Sequence, residues 1–355
     1  MSLTSYLAAP SRGLTMRLSA RGGIVTVWPR VSQGKFCHCS KFVILSRRDD
    51  FYERMTLAPL IDWKRRAADH QARAARYTVP ARSRRDRGLP HPIEDFLFQY
   101  YPYPLALLDT WQPGIGLHCE WDSKTAPSPL PHGISERYHT GTDTHFFADP
   151  GRLTVKERDR LQWICGLLEA IANRAPNFAC HGMHEWAMVH GGKEVRHEGT
   201  ARLRLPQSEI DALVESRPIC CSHHDAFRFF AATAKPLNRL QPTLESRVML
   251  EQPGCVHANM DLYKWAAKAM PWCGSELLLD CFELAVQLRD LDMRASPYDL
   301  SEWGRTPIRI ETPDGRRCYE AEQKRLASMA SPLRERLIAA LRQTLAHHTP
   351  CQRSF

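Results

Sequence analysis

The chain has 355 residues, 43% of them hydrophobic and 25% charged, with a net charge of +9 and a pI near 9.0. That composition supports a sizeable core in one large domain or two ordinary ones, and its basic balance suits a polyanionic partner. No run nears the ~20 apolar residues of a membrane span, and the 12 cysteines, in no even framework and without Cys-x-x-Cys pairs, read as reduced thiols with no zinc ribbon and no disulfide-linked partner.

Residues 1–54 mix Ser, Arg, Gly and short apolar pieces without a sustained period. They are expected to be poorly ordered, or an upstream extension from a misassigned start, with 23–28 and 42–45 as candidate short strands; a targeting arm is the alternative. No apolar run precedes a small-residue cleavage site, so a cytoplasmic location is expected. Leu57, Leu60, Ile61, Ala68 and Ala72 recur at helical spacing and predict a helix over 56–77. Nine Lys or Arg crowd 64–87, opposed only by Asp69 and Asp86. They form either a phosphate-contacting surface or a solvated helix face.

Pro92 opens a short helix with Glu94 and Asp95 at its positive end. A second short helix follows at 103–108, then a turn at 111–116. Residues 121–150, rich in turn formers, read as a loop in which His132, His139 and His145 are solvated. Thr154 caps a helix to about Arg174, and Glu157 completes a capping box. A turn at 190–192, a strand at 200–205 and a helix from Ser208 to Glu215 come next. Ser275 caps a long helix over 276–293 whose Glu276, Asp280, Glu283 and Asp290 face solvent, and Pro297 cannot continue it. A strand and turn at 306–315 precede a last helix over 318–347, broken at Pro332. The sum is a mainly α fold with a few short strands: one compact domain over 55–347, followed by a tail at 348–355.

Three dense clusters stand out: Cys180-His-Gly-Met-His-Glu-Trp186, Cys220-Cys-Ser-His-His-Asp-Ala-Phe-Arg-Phe-Phe230 and Glu251-Gln-Pro-Gly-Cys-Val-His-Ala-Asn-Met-Asp-Leu-Tyr-Lys-Trp265. Unpaired buried charges are costly, so a site is the economical explanation for so many ionisable groups among aromatics. In one reading His223, Asp225 and His257 outline a two-His, one-carboxylate set for a divalent metal, iron or zinc, with His184, Glu185 and Asp261 as further ligands. Singly, each histidine reads as a hydrogen-bonded core residue.

In a second reading Asp225, Asp261 or Glu185 is the catalytic carboxylate of a glycosidic-bond cleavage. Trp186, Phe227, Tyr263 and Trp265 then stack on an extruded base, and Arg228 and Lys264 meet phosphate. The bland alternative makes Phe227, Phe229, Phe230, Tyr263 and Trp265 packing residues, and Asn259 the N-cap of a helix starting at Met260 rather than a substrate ligand. A third reading uses a thiol nucleophile, Cys255 with His257 or Cys221 with His223.

The phrases His91-Pro-Ile-Glu-Asp-Phe-Leu-Phe98, His184-Glu-Trp-Ala-Met188, Cys221-Ser-His223, Asp225-Ala-Phe-Arg-Phe-Phe230, Pro236-Leu-Asn238 with Gln241-Pro-Thr243, Glu251-Gln-Pro-Gly-Cys255, His257 to Trp265 and Asp292-Met-Arg-Ala-Ser-Pro-Tyr-Asp-Leu300 resemble a bacterial family that carries the name 3-methyladenine DNA glycosylase. The resemblance covers about residues 56–345. It implies a DNA repair N-glycosylase that releases an alkylated purine, with DNA as partner, and it supplies no residue roles of its own. A metal-dependent enzyme on a small molecule and a non-catalytic nucleic-acid binder are the alternatives.

Overall fold

A computed structural model describes residues 56–346, apart from 125–127, 129 and 194–200, together with two strands nearer the N-terminus. Those strands, β1 (Met16–Arg21) and β2 (Ile24–Pro29), pair antiparallel and belong to a separate compact unit. The expected strand at 42–45, the rest of 1–54 and the tail at 348–355 lie outside the described residues.

The main unit is mainly α. It opens with β3 (Thr56–Ala58) and α1 (Leu60–Asp86), then the short helices α2 (Phe96–Tyr100) and α3 (Ala106–Asp109). Strands β4 (Leu117–Glu120), β5 (His139–Gly141) and β6 (His145–Ala148) follow, and the sheet order is β3-β4-β6-β5. Helix α4 (Val155–Ala172) leads to α5 (Met183–Ala187), α6 (Gln207–Glu215), α7 (His224–Phe227) and α8 (Arg247–Leu250). Three helices close the unit: α9 (Val256–Lys268), α10 (Ser275–Ala295) and α11 (Pro313–Ala346). No helix among the described residues is long and apolar enough to cross a membrane, and none of the nine described cysteines is disulfide-bonded.

Local signals explain much of this. The Thr154 hydroxyl accepts from the Glu157 amide while the Glu157 carboxylate accepts from the Thr154 amide, a complete capping box at the start of α4. Burial of Leu161, Ile164, Leu167, Leu168 and Ile171 seats that helix on the core. Helix α10 lies at the centre, fully burying Leu278, Leu279, Ala285 and Leu288 between α9 and α11. A smaller aromatic cluster joins α1 to the sheet: Trp63 stacks on Trp111 at 5.8 Å and meets Phe146 edge-on at 5.4 Å.

Several expectations need correction. Helix α1 runs through Pro80 to Asp86, well past residue 77. Within 121–150 the chain forms the β5–β6 hairpin, and His139 is buried at 1% exposure with Nδ1 3.0 Å from the Ser135 carbonyl. The strand at 200–205 reduces to one bridge between Leu203 and Tyr298 among the described residues. Helix α6 begins at Gln207 after Pro206, not at a Ser208 cap. Ser275 lies inside α10, and its hydroxyl ties Gln112 and Thr110 to that helix. Asn259 is an interior residue of α9, whose cap position is Cys255. No strand forms at 306–315; α11 starts at Pro313 and continues through Pro332, because packing of Leu326, Ala330, Leu337 and Leu341 outweighs the missing amide donor.

The carboxylates of α10 are not free. Glu276 takes Arg66 at 2.7 Å, Asp280 and Glu283 take Arg73 at 2.9 and 2.7 Å, and Asp290 takes Arg305 at 2.9 Å. Four of the nine basic residues over 64–87 are thereby ion-paired, since Arg82 also pairs with Asp109 and Arg84 with Asp95.

Candidate functional site

The three histidines at 184, 223 and 257 form a row. The His184 and His257 rings lie 4.7 Å apart, edge to face, and the His257 and His223 rings lie 5.5 Å apart, nearly stacked. His184 rides on α5, which starts after two left-handed residues, His181 (φ 46°) and Gly182 (φ 75°). His181 is the one non-glycine residue with positive φ among the described residues. Such strain concentrates at functional sites. A Cβ on Gly182 would stand 3.2 Å from Ala295 Cβ and 3.3 Å from the Tyr319 ring, so the turn packs too closely for a side chain.

At one end of the row the acid is Asp292 of α10, fully buried. Its Oδ1 and Oδ2 lie 3.0 and 3.2 Å from Nε2 of His184, and Nε2 of His257 is 4.0 Å from Oδ2. Oδ1 has no aligned hydrogen bond, an orphaned lone pair on a buried carboxylate. Burial disfavours charge on His184, but Asp292 outweighs it and raises the imidazole well above its usual range, while His184 holds Asp292 well below the usual carboxylate range. Burial, then the charged His184, push His257 down to about 3, which leaves a neutral ring. Glu185 stands beside them, 4.0 Å from His184, pushed up by burial and by Asp292. Nδ1 of His184 lies 3.3 Å from Sγ of Cys180. The sequence reading missed Asp292 as the partner of these histidines, although its phrase 292–300 was already conspicuous.

At the other end, Nε2 of His223 lies 3.5 Å from both Glu251 and Asp261. Arg247 donates to Glu251 at 2.6 Å and to Asp261 at 2.9 Å, and Lys264 bridges Asp261 and Asp225, each at 2.9 Å. Tyr101 donates to the remaining Asp261 oxygen at 2.7 Å. Asp261, 1% exposed, is thus an internal counterion. His223 belongs to this ion network and not to the His184–His257–Asp292 group.

Between the two ends, a cavity of about 190 Å³ opens over His257. Phe96, Tyr100 and Phe229 give it aromatic walls, Met188 and Met260 add apolar surface, and Glu185, Asp225 and Arg289 add polar groups. Four other expected site residues lie elsewhere. Trp186 is wholly buried and donates to the Ala295 carbonyl at 2.8 Å. Tyr263 is 1% exposed and packs edge-on against Tyr101, Tyr103 and Phe282, so neither ring is placed to stack on a ligand. Asn259 is buried against the Pro253 carbonyl and Arg334. Arg228 lies on the surface over Phe229 at 4.3 Å. The thiols of Cys221 and Cys255 are pushed up by burial, away from nucleophilic character.

Other phrases of the chain build the scaffold. Asn238 brackets Cys221 with two hydrogen bonds, at 2.8 and 2.9 Å, which fixes the approach to His223. Gln252 brackets Asn177 in the same way at 2.8 and 3.0 Å, and a Cβ on Gly254 would lie 2.7 Å from the Asn177 carbonyl.

Charge is distributed unevenly along the chain. Residues 1–55 hold nine Lys or Arg against three Asp or Glu, leaving residues 56–346 with 38 against 36. Comparison with known protein families, with curated proteins and with solved structures finds no match for this chain.

Proposed function

We propose that the chain is a metal-dependent enzyme acting on a small molecule, with His184, His257 and Asp292 as the ligands of a divalent cation, iron or zinc. The observation that carries this reading is that one ligand atom from each of the three lies within 4.8 Å of the others, and that one of the three, His257, lines a cavity. Ligands about 2.1 Å from a metal stand roughly 3–4 Å apart, the range of the 3.0 and 4.0 Å separations between Asp292 and the two imidazoles. The neutral His257 ring offers a lone pair to a cation, and His184, held charged by Asp292 without one, would give up its proton on binding it.

Two histidines and one carboxylate leave coordination positions open, and the bound metal supplies Lewis-acid or oxygen chemistry at them. The chain's own groups do the rest. Glu185, its carboxyl pushed up by burial and by Asp292, stands next to the ligands, aromatic rings wall the cavity, and 190 Å³ of space suits a ligand of about the bulk of six waters. To test it, untagged protein is stripped with chelator, checked for folding by circular dichroism and titrated with zinc and with anaerobic iron(II). One equivalent should bind, and His257→Ala and Asp292→Asn should abolish it. Folded protein that takes up no stoichiometric metal overturns the reading.

A DNA N-glycosylase is the second reading. The cavity favours it, since Phe96, Tyr100 and Phe229 beside Asp225 would enclose one flipped base. The near-neutral charge of 56–346 and the paired arginines of α1 weigh against a DNA-binding face there. Release of free methylpurine from alkylated DNA by stoichiometric protein would favour this reading, and no release above a heat-killed control would remove it.

A further inference from the structure

Arg289 brings a guanidinium to the wall of the cavity. A guanidinium offers five N–H donors. Here only Nη1 is engaged by a described residue, with Glu185 at 3.2 Å, while Nε is buried without an acceptor. The side chain is 16% exposed, and its guanidinium carbon lies over the Phe96 ring at 4.0 Å. Asp292 stands 3.7 Å away, already shared with His184.

Of the two carboxylates in the wall, Glu185 takes Arg289 at 3.2 Å, and Asp225 is answered by Lys264 at 2.9 Å, Arg228 at 3.5 Å and Arg247 at 3.7 Å. Both wall carboxylates thus have cationic partners, and the spare donors of Arg289 are what the wall offers an anion. Arg289 also lines a larger cavity of about 450 Å³ over α1 and α10, where Arg76 and Arg84 lie.

We propose that Arg289 recognises the substrate, and that the substrate is a small carboxylate with an apolar or aromatic body lying between Phe96, Tyr100 and Phe229. The guanidinium fork matches a carboxylate in two-point geometry, and the inner volume of about 190 Å³ admits a single ring with a short anionic group. This inference rests on the metal-enzyme reading for the cavity's role, but not for its affinity.

The test uses benzoate and its neutral isostere benzamide as probes, with the full chain, both metal-free and zinc-treated. Binding is followed by ligand-observed NMR and calorimetry. Benzoate should bind at least about tenfold more tightly than benzamide, and Arg289→Gln should remove that preference, with Arg289→Lys retaining part of it. Circular dichroism confirms that the variants fold, and the benzoate–benzamide contrast in the unaltered protein needs no variant at all. Equal binding of the two probes, unchanged benzoate binding in Arg289→Gln, or no benzoate binding at millimolar concentration overturns the proposal. Benzoate selectivity without metal uptake would sink the metal reading alone, and metal uptake without selectivity would sink this one alone.

Discussion

Replacing Arg247 with methionine should destabilise the protein by about 3–5 kcal/mol, the usual loss when one partner leaves a buried ion network. The guanidinium is 4% exposed and lies 2.6 Å from Glu251 and 2.9 Å from Asp261, themselves at most 1% exposed. At an effective dielectric of about 20, each contact is worth roughly 6 kcal/mol before desolvation. Methionine fills the space over Trp265, where Arg247 sits 5.1 Å from the ring, so little of the loss is a cavity. What remains is the cost of unneutralised carboxylates.

Urea denaturation followed by tryptophan fluorescence reads the effect. With a slope of about 3 kcal/mol per molar, the midpoint should fall by about 1–1.7 M. The double variant Arg247→Met with Glu251→Gln should recover at least about 1 kcal/mol, because it removes one orphaned charge. A loss below about 1 kcal/mol in the single variant, or no recovery in the double, would show that the network carries no net stabilisation.

Thr154→Ala should cost about 1 kcal/mol in the same assay, since it removes the hydroxyl half of the capping box on α4; an unchanged midpoint would refute the cap's contribution. The Glu157 carboxyl is held down at about 2: burial would raise it, but hydrogen bonds from Tyr138, Thr154 and Arg137 outweigh that. The folded value lies below the unfolded one near 4.5, so this stabilisation is complete above pH 4.5 and lost on acidification toward pH 2. The stability gap between wild type and Glu157→Gln should therefore close across that window, and a gap independent of pH would contradict it. Trp186→Ala should cost about 3–5 kcal/mol, because the ring is wholly buried and hydrogen-bonded. A change under about 1 kcal/mol would mean that the core refills the space.

Local signals were the legible ones. The capping box at Thr154 and the apolar period of α4 are set within one or two turns, so the residues alone give them. The density of His and acid in three clusters marks where ionisable groups collect, because burying so many needs mutual pairing. The pairing itself is long-range. Asp292 meets His184 across 108 positions of chain, and helical period says only that Asp292 faces inward. Trp186 and Tyr263 look like stacking groups by type, and only the placement of Ala295, Tyr101 and Phe282 makes them core. The β5–β6 hairpin hides among turn formers because its strands are three and four residues long, too short for alternation to register.

Helix α9 carries His257, Met260, Asp261 and Lys264 at successive steps of three, one and three residues, so one rigid rod bears both the cavity floor and the ion network. The two cannot drift apart: any sliding of this rod along its axis displaces both by the same amount. A single-residue insertion in its first turn would swing His257 some 100° away from the groups behind it, disconnecting the two halves at a stroke while leaving each intact.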